Sequence, residues 1–236
     1  SLLPFAGPFV AWLLLAVVSA GDPGLERIDT LGAGIDGYLG EGRELELFVE
    51  AYGQRGTLQE DPLQVRKEAW AANAGLRYVG LLEGKLQLEA AASHRSGNRH
   101  SGDRVDQSFQ SYENENRFLI LQSAEFGLDV DTAVTILRAG IGAGPFEVDG
   151  RPLRLHLDVG RFVAASPLRT AGGARLASDE DDWGMETDLS VTWTYNESFQ
   201  LLLKGAWLSG SALLEDLTAS RDDDARLLLF GDDLKF

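Results

Sequence analysis

The chain has 236 residues, contains no cysteine and carries a formal net charge of −16. Without cysteine it has no disulfide framework, no thiolate metal site and no cysteine nucleophile. Its acidity disfavours nucleic acid as a partner, because the phosphate backbone would be repelled. The length suits one sizeable domain.

Residues 1–21 form a nearly continuous apolar segment with no Lys or Arg, since the first basic residue is Arg27. Two interpretations stay open. The segment is a retained transmembrane helix, long enough to span if it starts at Pro4, or a signal peptide cleaved after the small residues 18–20. We expect the retained helix, with residues 22–29 as a linker.

Beyond residue 30 the dominant signal is alternation of apolar and polar residues, which predicts strands. It is clearest over Met185–Tyr195 and over Leu153–Val163, where Arg154, His156 and Asp158 should share one face. About ten strands of about ten residues each are predicted, a length typical of membrane-spanning strands. The predicted strands lie near 31–39, 45–51, 70–78, 85–94, 116–126, 132–143, 153–163, 185–195, 199–207 and 224–236.

The predicted fold is therefore all-β: an antiparallel up-and-down barrel or barrel-like sheet over residues 30–236, preceded by one transmembrane helix. Alternation alone does not say whether the apolar face meets lipid or a packed interior. We expect Trp193 and Tyr195 at a strand end near other aromatics, as in the aromatic girdles of membrane barrels. The chain ends on Phe236, a terminal aromatic typical of a closing barrel strand.

Several segments resemble the alginate-export type of outer-membrane β-barrel. In the C-terminal half these are 116–121, 125–129 and 184–189, followed by 210–214 and the ending from Asp223 to Phe236. The resemblance implies a non-enzymatic barrel that conducts a solute. From the strand count itself, about ten strands leave an interior mostly filled by side chains.

No motif for catalysis or for cofactor binding is present in the sequence, and we expect a protein that is not an enzyme. The three histidines, His94, His100 and His156, have no metal-ligand spacing. The acidic runs at 179–182 and 222–224 are the weak calcium candidates, with Asp179, Asp181 and Asp182 as possible oxygen ligands. Solvated loop carboxylates are the simpler interpretation.

Partner contacts are predicted at two places. Trp12 is the largest side chain of the apolar segment and the candidate contact with other membrane subunits. The loop 95–104 is the cationic patch of an acidic chain, and its residues Arg95, Arg99 and Arg104 could dock an acidic protein surface.

Two functions fit these features. The first is a non-catalytic accessory subunit of a bacterial membrane complex, photosynthetic or respiratory, anchored in the inner membrane with its β-domain in the periplasm. The alternative is an outer-membrane channel of the alginate-export type with a cleaved signal peptide. Both place the chain in the cell envelope in contact with lipid.

Overall fold

The computed structural model describes residues 9–18, 27–40, 42–60, 63–98, 105–109, 117–123, 130, 132–166, 182–196, 199–210 and 224–234. Ten long strands and one two-residue strand make up its regular structure. They are β1 (Phe9–Val18), β2 (Arg27–Leu39), β3 (Leu45–Glu60), β4 (Leu63–Leu81), β5 (Leu86–Arg95), β6 (Val105–Asp106), β7 (Val134–Val148), β8 (Arg151–Ala164), β9 (Asp182–Asn196), β10 (Phe199–Ser209) and β11 (Ala225–Leu234).

The ten long strands form one antiparallel up-and-down sheet in chain order, and the short β6 pairs in parallel with β4. The prediction of an all-β, up-and-down array of about ten strands is confirmed. Among the described residues β1 and β11 share no ladder, so the sheet is not closed into a barrel. The predicted strand over Leu153–Val163 is confirmed as part of β8.

The structure does not confirm the predicted N-terminal helix. It places Phe9–Val18 in β1, which pairs with β2 along its whole length. The physical reason is that a short continuous apolar run suits a buried helix or a sheet strand equally, and the free edge of β2 offers a ladder of hydrogen bonds. Within the described residues, no helix has the length and apolar character needed to cross a membrane. The linker predicted at 22–29 also overlaps β2, which begins at Arg27.

The predicted strand at 116–126 is wrong where the structure describes it. Residues 118–122 form a turn, closed by a hydrogen bond from the amide of Gln122 to the carbonyl of Phe118 (3.2 Å). Among the described residues between β5 and β7, β6 is the only strand. The predicted and observed numbers of long strands still agree. The sequence analysis did not predict β1, and this omission offsets the strand wrongly predicted at 116–126.

Connection lengths differ sharply between the two ends of the sheet. At one end, here called the short-turn end, neighbouring strands are joined by 40–44, 82–85, 149–150 and 197–198. Asp149 and Gly150 both have positive φ (53° and 71°), which is the backbone of a two-residue hairpin turn. At the other, the long-loop end, lie 19–26, 96–133, 165–181 and 210–224, with the tight 61–62 as the exception.

Candidate functional site

The sheet has two chemically opposite faces. The inner face is the one against which residues 118–123 pack, and the outer face is the other. On the outer face, large apolar side chains are exposed, including Leu189 (50%), Trp207 (51%) and Phe230 (71%). On the inner face, Glu186 and Asp188 are buried at 0% and 6% exposure. A water-soluble protein has the reverse arrangement.

A band without charge crosses the outer face. On the outer face every described residue is uncharged over 31–39 of β2, 45–53 of β3, 70–78 of β4, 86–94 of β5, 135–143 of β7, 153–159 of β8, 185–195 of β9 and 199–207 of β10. On β9 the band runs from Met185 to Tyr195 through Leu189 and Val191. Nine to eleven residues are what a tilted strand needs to cross about 30 Å of hydrocarbon.

Aromatic side chains border this band. Toward the long-loop end, Trp70 and Trp207 are each 51% exposed. At the short-turn end, Tyr195 stacks edge-on with Trp193 (5.6 Å between centroids) and lies 6.1 Å from Phe199. The predicted position of Trp193 and Tyr195, at a strand end beside another aromatic residue, is thus confirmed. From Thr187, the partner of Trp207, to Tyr195 the strand rises by about 27 Å at about 3.4 Å per residue.

The inner face carries ion pairs and hydrogen bonds. Arg77 lies between Glu46 (3.7 Å) and Glu89 (3.4 Å), and Glu89 also binds Arg117 (2.9 Å). His156 pairs with Asp158 at 3.0 Å. Opposite charges on neighbouring strands satisfy one another, which lets a half-buried polar face persist.

Two carboxylates on β9 hold the inner turn at residues 118–122. Glu186 accepts hydrogen bonds from the amides of Ile120 (2.6 Å) and Leu121 (2.8 Å), and Asp188 accepts one from Leu119 (2.9 Å). The first amides of a helical turn have no partner within the turn, so the carboxyl oxygens of Glu186 and Asp188 complete their hydrogen bonding.

Apolar packing fixes the same segment from the other side. The ring of Phe118 lies edge-on to Phe162 with centroids 5.0 Å apart, and both side chains are almost fully buried. Glycine at position 160 makes room for this packing, because a Cβ there would collide with the Phe118 ring. Residues 117–123, here called the plug, therefore occupy the inner face over β7 to β10.

Residues 105–109, also between β5 and β7, form a second contact with the inner face of the sheet. Phe109 packs beside Tyr52 (6.3 Å between centroids) over Ala69 and Ala71. Lys67, only 3% exposed, forms a 2.5 Å ion pair with Asp106. Burial disfavours the charged form of Asp106, but hydrogen bonds from Lys67 and Ser108 outweigh it and leave the pKa of Asp106 below its ordinary 3.8.

This ion pair gives a testable pH dependence. Asp106→Asn would leave a buried Lys67 without its carboxylate, and we expect the free energy of unfolding to fall by about 3–5 kcal/mol at neutral pH. The folded-state pKa of Asp106 is lowered, so its stabilisation is present above about pH 4 and lost as the pH falls through the folded value. Denaturant titrations should therefore show the difference between wild type and variant shrinking toward zero in acid. A stability difference that does not change with pH would contradict a stabilising role of the ionised Asp106 in this pair.

Beside the plug lies a polar cavity of about 340 Å³. Carboxylates from β2 and β3, the guanidinium groups of Arg117 and Arg138, and the amides of Asn73 and Gln122 line it. On β3, Glu50 accepts hydrogen bonds from Tyr52 (3.2 Å) and Asn73 (3.3 Å). The cavity is suited to water and to small hydrophilic solutes.

The predicted docking and metal residues do not come together. Arg95 is a buried inner-face residue of β5 (8% exposed), whereas Arg99 and Arg104 lie outside the described residues. Trp12 lies in β1 opposite Gly34, and it pairs within the sheet rather than in a helix. Its side chain is not among those described.

Of the calcium candidates, Asp182 starts β9 and pairs with Arg161, while Asp179, Asp181 and Asp222 lie outside the described residues. The described part of the chain contains no group of three potential metal ligands. His94 stacks on Trp70 (4.5 Å) and contacts the Thr135 hydroxyl (2.8 Å). His100 and the terminal Phe236 are also outside the described residues.

Sequence reasoning missed the Glu186–Asp188 pair. The signal was present, since the two carboxylates alternate with Met185, Thr187 and Leu189 on one strand and must share a face. What the sequence could not supply was their partner, a turn about 65 residues earlier in the chain.

Comparison with known proteins adds no family. No protein-family model matches the chain, and no curated protein matches it either. The resemblance to the alginate-export type stays a prediction.

Proposed function

We propose that this chain is an outer-membrane β-barrel protein whose pore is narrowed by the plug and admits small hydrophilic solutes. The observation that carries the proposal is the inverted sheet: a charge-free apolar band outside, with buried carboxylates, ion pairs and a polar cavity inside. Exposing Leu228 (74%) and Phe230 (71%) to water is unfavourable, whereas exposing them to lipid is not.

Orientation follows from the connections. Membrane barrels have short periplasmic turns and longer outer loops, so the short-turn end would face the periplasm. The accessory-subunit alternative has less support, because it needs a spanning helix over a segment in which Phe9–Val18 forms a strand.

Barrel closure is part of the proposal. With ten strands in antiparallel order, β1 and β11 run in opposite directions and can pair as neighbours do elsewhere in the sheet. Because the chain has no cysteine, cysteine pairs with one member at 12–15 and the other at 226–230 report this contact cleanly. We expect oxidative cross-links for one register only. Cross-linking between molecules alone would contradict closure.

Insertion is the direct test of the function. Refolded protein mixed with phospholipid vesicles should float with them and resist extraction by urea, and solutes of a few hundred daltons should leak from the loaded vesicles. Single cysteines carrying an environment-sensitive dye should report a lipid environment at Leu203 on the outer face. The matched control on the inner face, Lys204, should report a polar one. If the protein floats with the vesicles but the dyes at Leu203 and Lys204 report the same environment, the proposal that the protein spans the membrane is refuted.

A further inference from the structure

The outer face carries a collar of cations next to the charge-free band. Five exposed arginines lie there toward the long-loop end, in an otherwise acidic chain: Arg27, Arg55, Arg66, Arg161 and Arg226. Arg226 lies over the ring of Trp207 (5.5 Å), which fixes its height beside the aromatic border. Three acids, Asp29, Glu68 and Asp182, pair with members of the collar and leave an excess of positive charge.

One arginine of this collar lies at an apolar groove of about 750 Å³. The register aligns Val49, Ala74, Ala92, Leu137 and Arg161 as one outer-face row across β3, β4, β5, β7 and β8. The alanines form the floor, and larger residues such as Leu47, Leu76 and Met185 form the walls.

The direction of the row matters. Strands of a membrane barrel tilt by about 35–45° from the membrane normal, so a row across the strands runs obliquely through the membrane. It would connect Arg161, at the charged border, with Val49 in the charge-free band. A lipid has this same order of groups, with a charged head at the interface and a chain in the hydrocarbon.

We propose that this groove binds a phosphate-bearing membrane lipid, with one acyl chain along the row and the phosphate at Arg161. The inference rests on the proposed membrane location. The groove is an open depression with an almost wholly apolar lining, which suits an acyl chain. Arg161 already pairs with Asp182, but a guanidinium has five donors and can bind a phosphate as well.

Native mass spectrometry of the detergent-solubilised full chain tests the site, with dipalmitoyl phosphatidic acid as the probe. We expect Arg161→Gln to weaken binding about tenfold, the usual loss for one charge-assisted hydrogen bond. Ala92→Trp should weaken it by blocking the floor. Asp182→Asn should leave binding equal or tighter, because it removes the competing acid.

Matched controls are Leu203→Trp, an outer-face substitution on β10 outside the groove, and Arg151→Gln at the short-turn end; neither should change binding. Equal affinity for dipalmitoylglycerol, or for inorganic phosphate alone, would overturn the proposal, as would unaltered binding in Arg161→Gln. A dimer that Ala92→Trp dissociates would assign the groove to a second copy instead. Vesicle flotation of each variant separates these results from failure of the membrane proposal itself.

Discussion

Leu189→Arg should lower the free energy of unfolding from a lipid bilayer by about 2–4 kcal/mol, the cost of an arginine near the middle of a membrane strand. Leu189 is 50% exposed on the outer face of β9, between Leu157 of β8 and Gly205 of β10. In water the same exchange at an exposed position would change stability by at most about 0.5 kcal/mol. The size of the stability loss therefore distinguishes an outer face in contact with lipid from one in contact with water.

Met185→Arg provides the matched comparison. Met185 lies on the same strand and face, is 45% exposed, and is the register partner of Arg161 at the charged border. Near the interface the cost should fall to about 0–1 kcal/mol. Denaturant titrations in vesicles, with Leu189→Phe as the apolar control, should rank Leu189→Arg as the least stable. Equal costs at both positions would contradict a band with a hydrophobic centre.

The sequence predicted the strands well wherever one face differed from the other. Met185–Tyr195 and Leu153–Val159 alternate without interruption, and a period of two residues has no other regular explanation. The same pattern could not say which face was buried, since alternation is symmetric. The inner segments decide this, and their contacts join residues far apart in the chain, such as Phe118 and Phe162.

The failures share one physical cause. Phe9–Val18 and residues 118–121 are both continuous apolar runs without alternation, so neither carried a signal of its conformation. The first became an edge strand rather than a helix, and the second a turn buried on the inner face rather than a strand. With 116–126 no longer counted as a strand, long and short connections alternate along β4 to β11.

The plug should be releasable through the two carboxylates that hold it. In Glu186→Gln/Asp188→Asn, side-chain amides replace oxygens that accept the amides of residues 119–121. An amide nitrogen cannot accept these bonds, and each buried N–H left unpaired costs about 1–3 kcal/mol. The double substitution also removes the repulsion between the two neighbouring carboxyl groups. The free energy of global unfolding should therefore fall by less than the free energy that keeps the plug bound to β9.

We therefore expect faster hydrogen exchange at the amides of residues 119–121 and a larger single-channel conductance in planar bilayers. The two effects have one origin, since the plug narrows the pore only while its turn is bound to β9. Ser190→Ala, on the same face of the same strand, is the control and should change neither quantity. Faster exchange without added conductance would mean that the pore is blocked elsewhere. Unchanged exchange would contradict the role of both carboxylates, and the remaining hold would then lie in the Phe118–Phe162 contact.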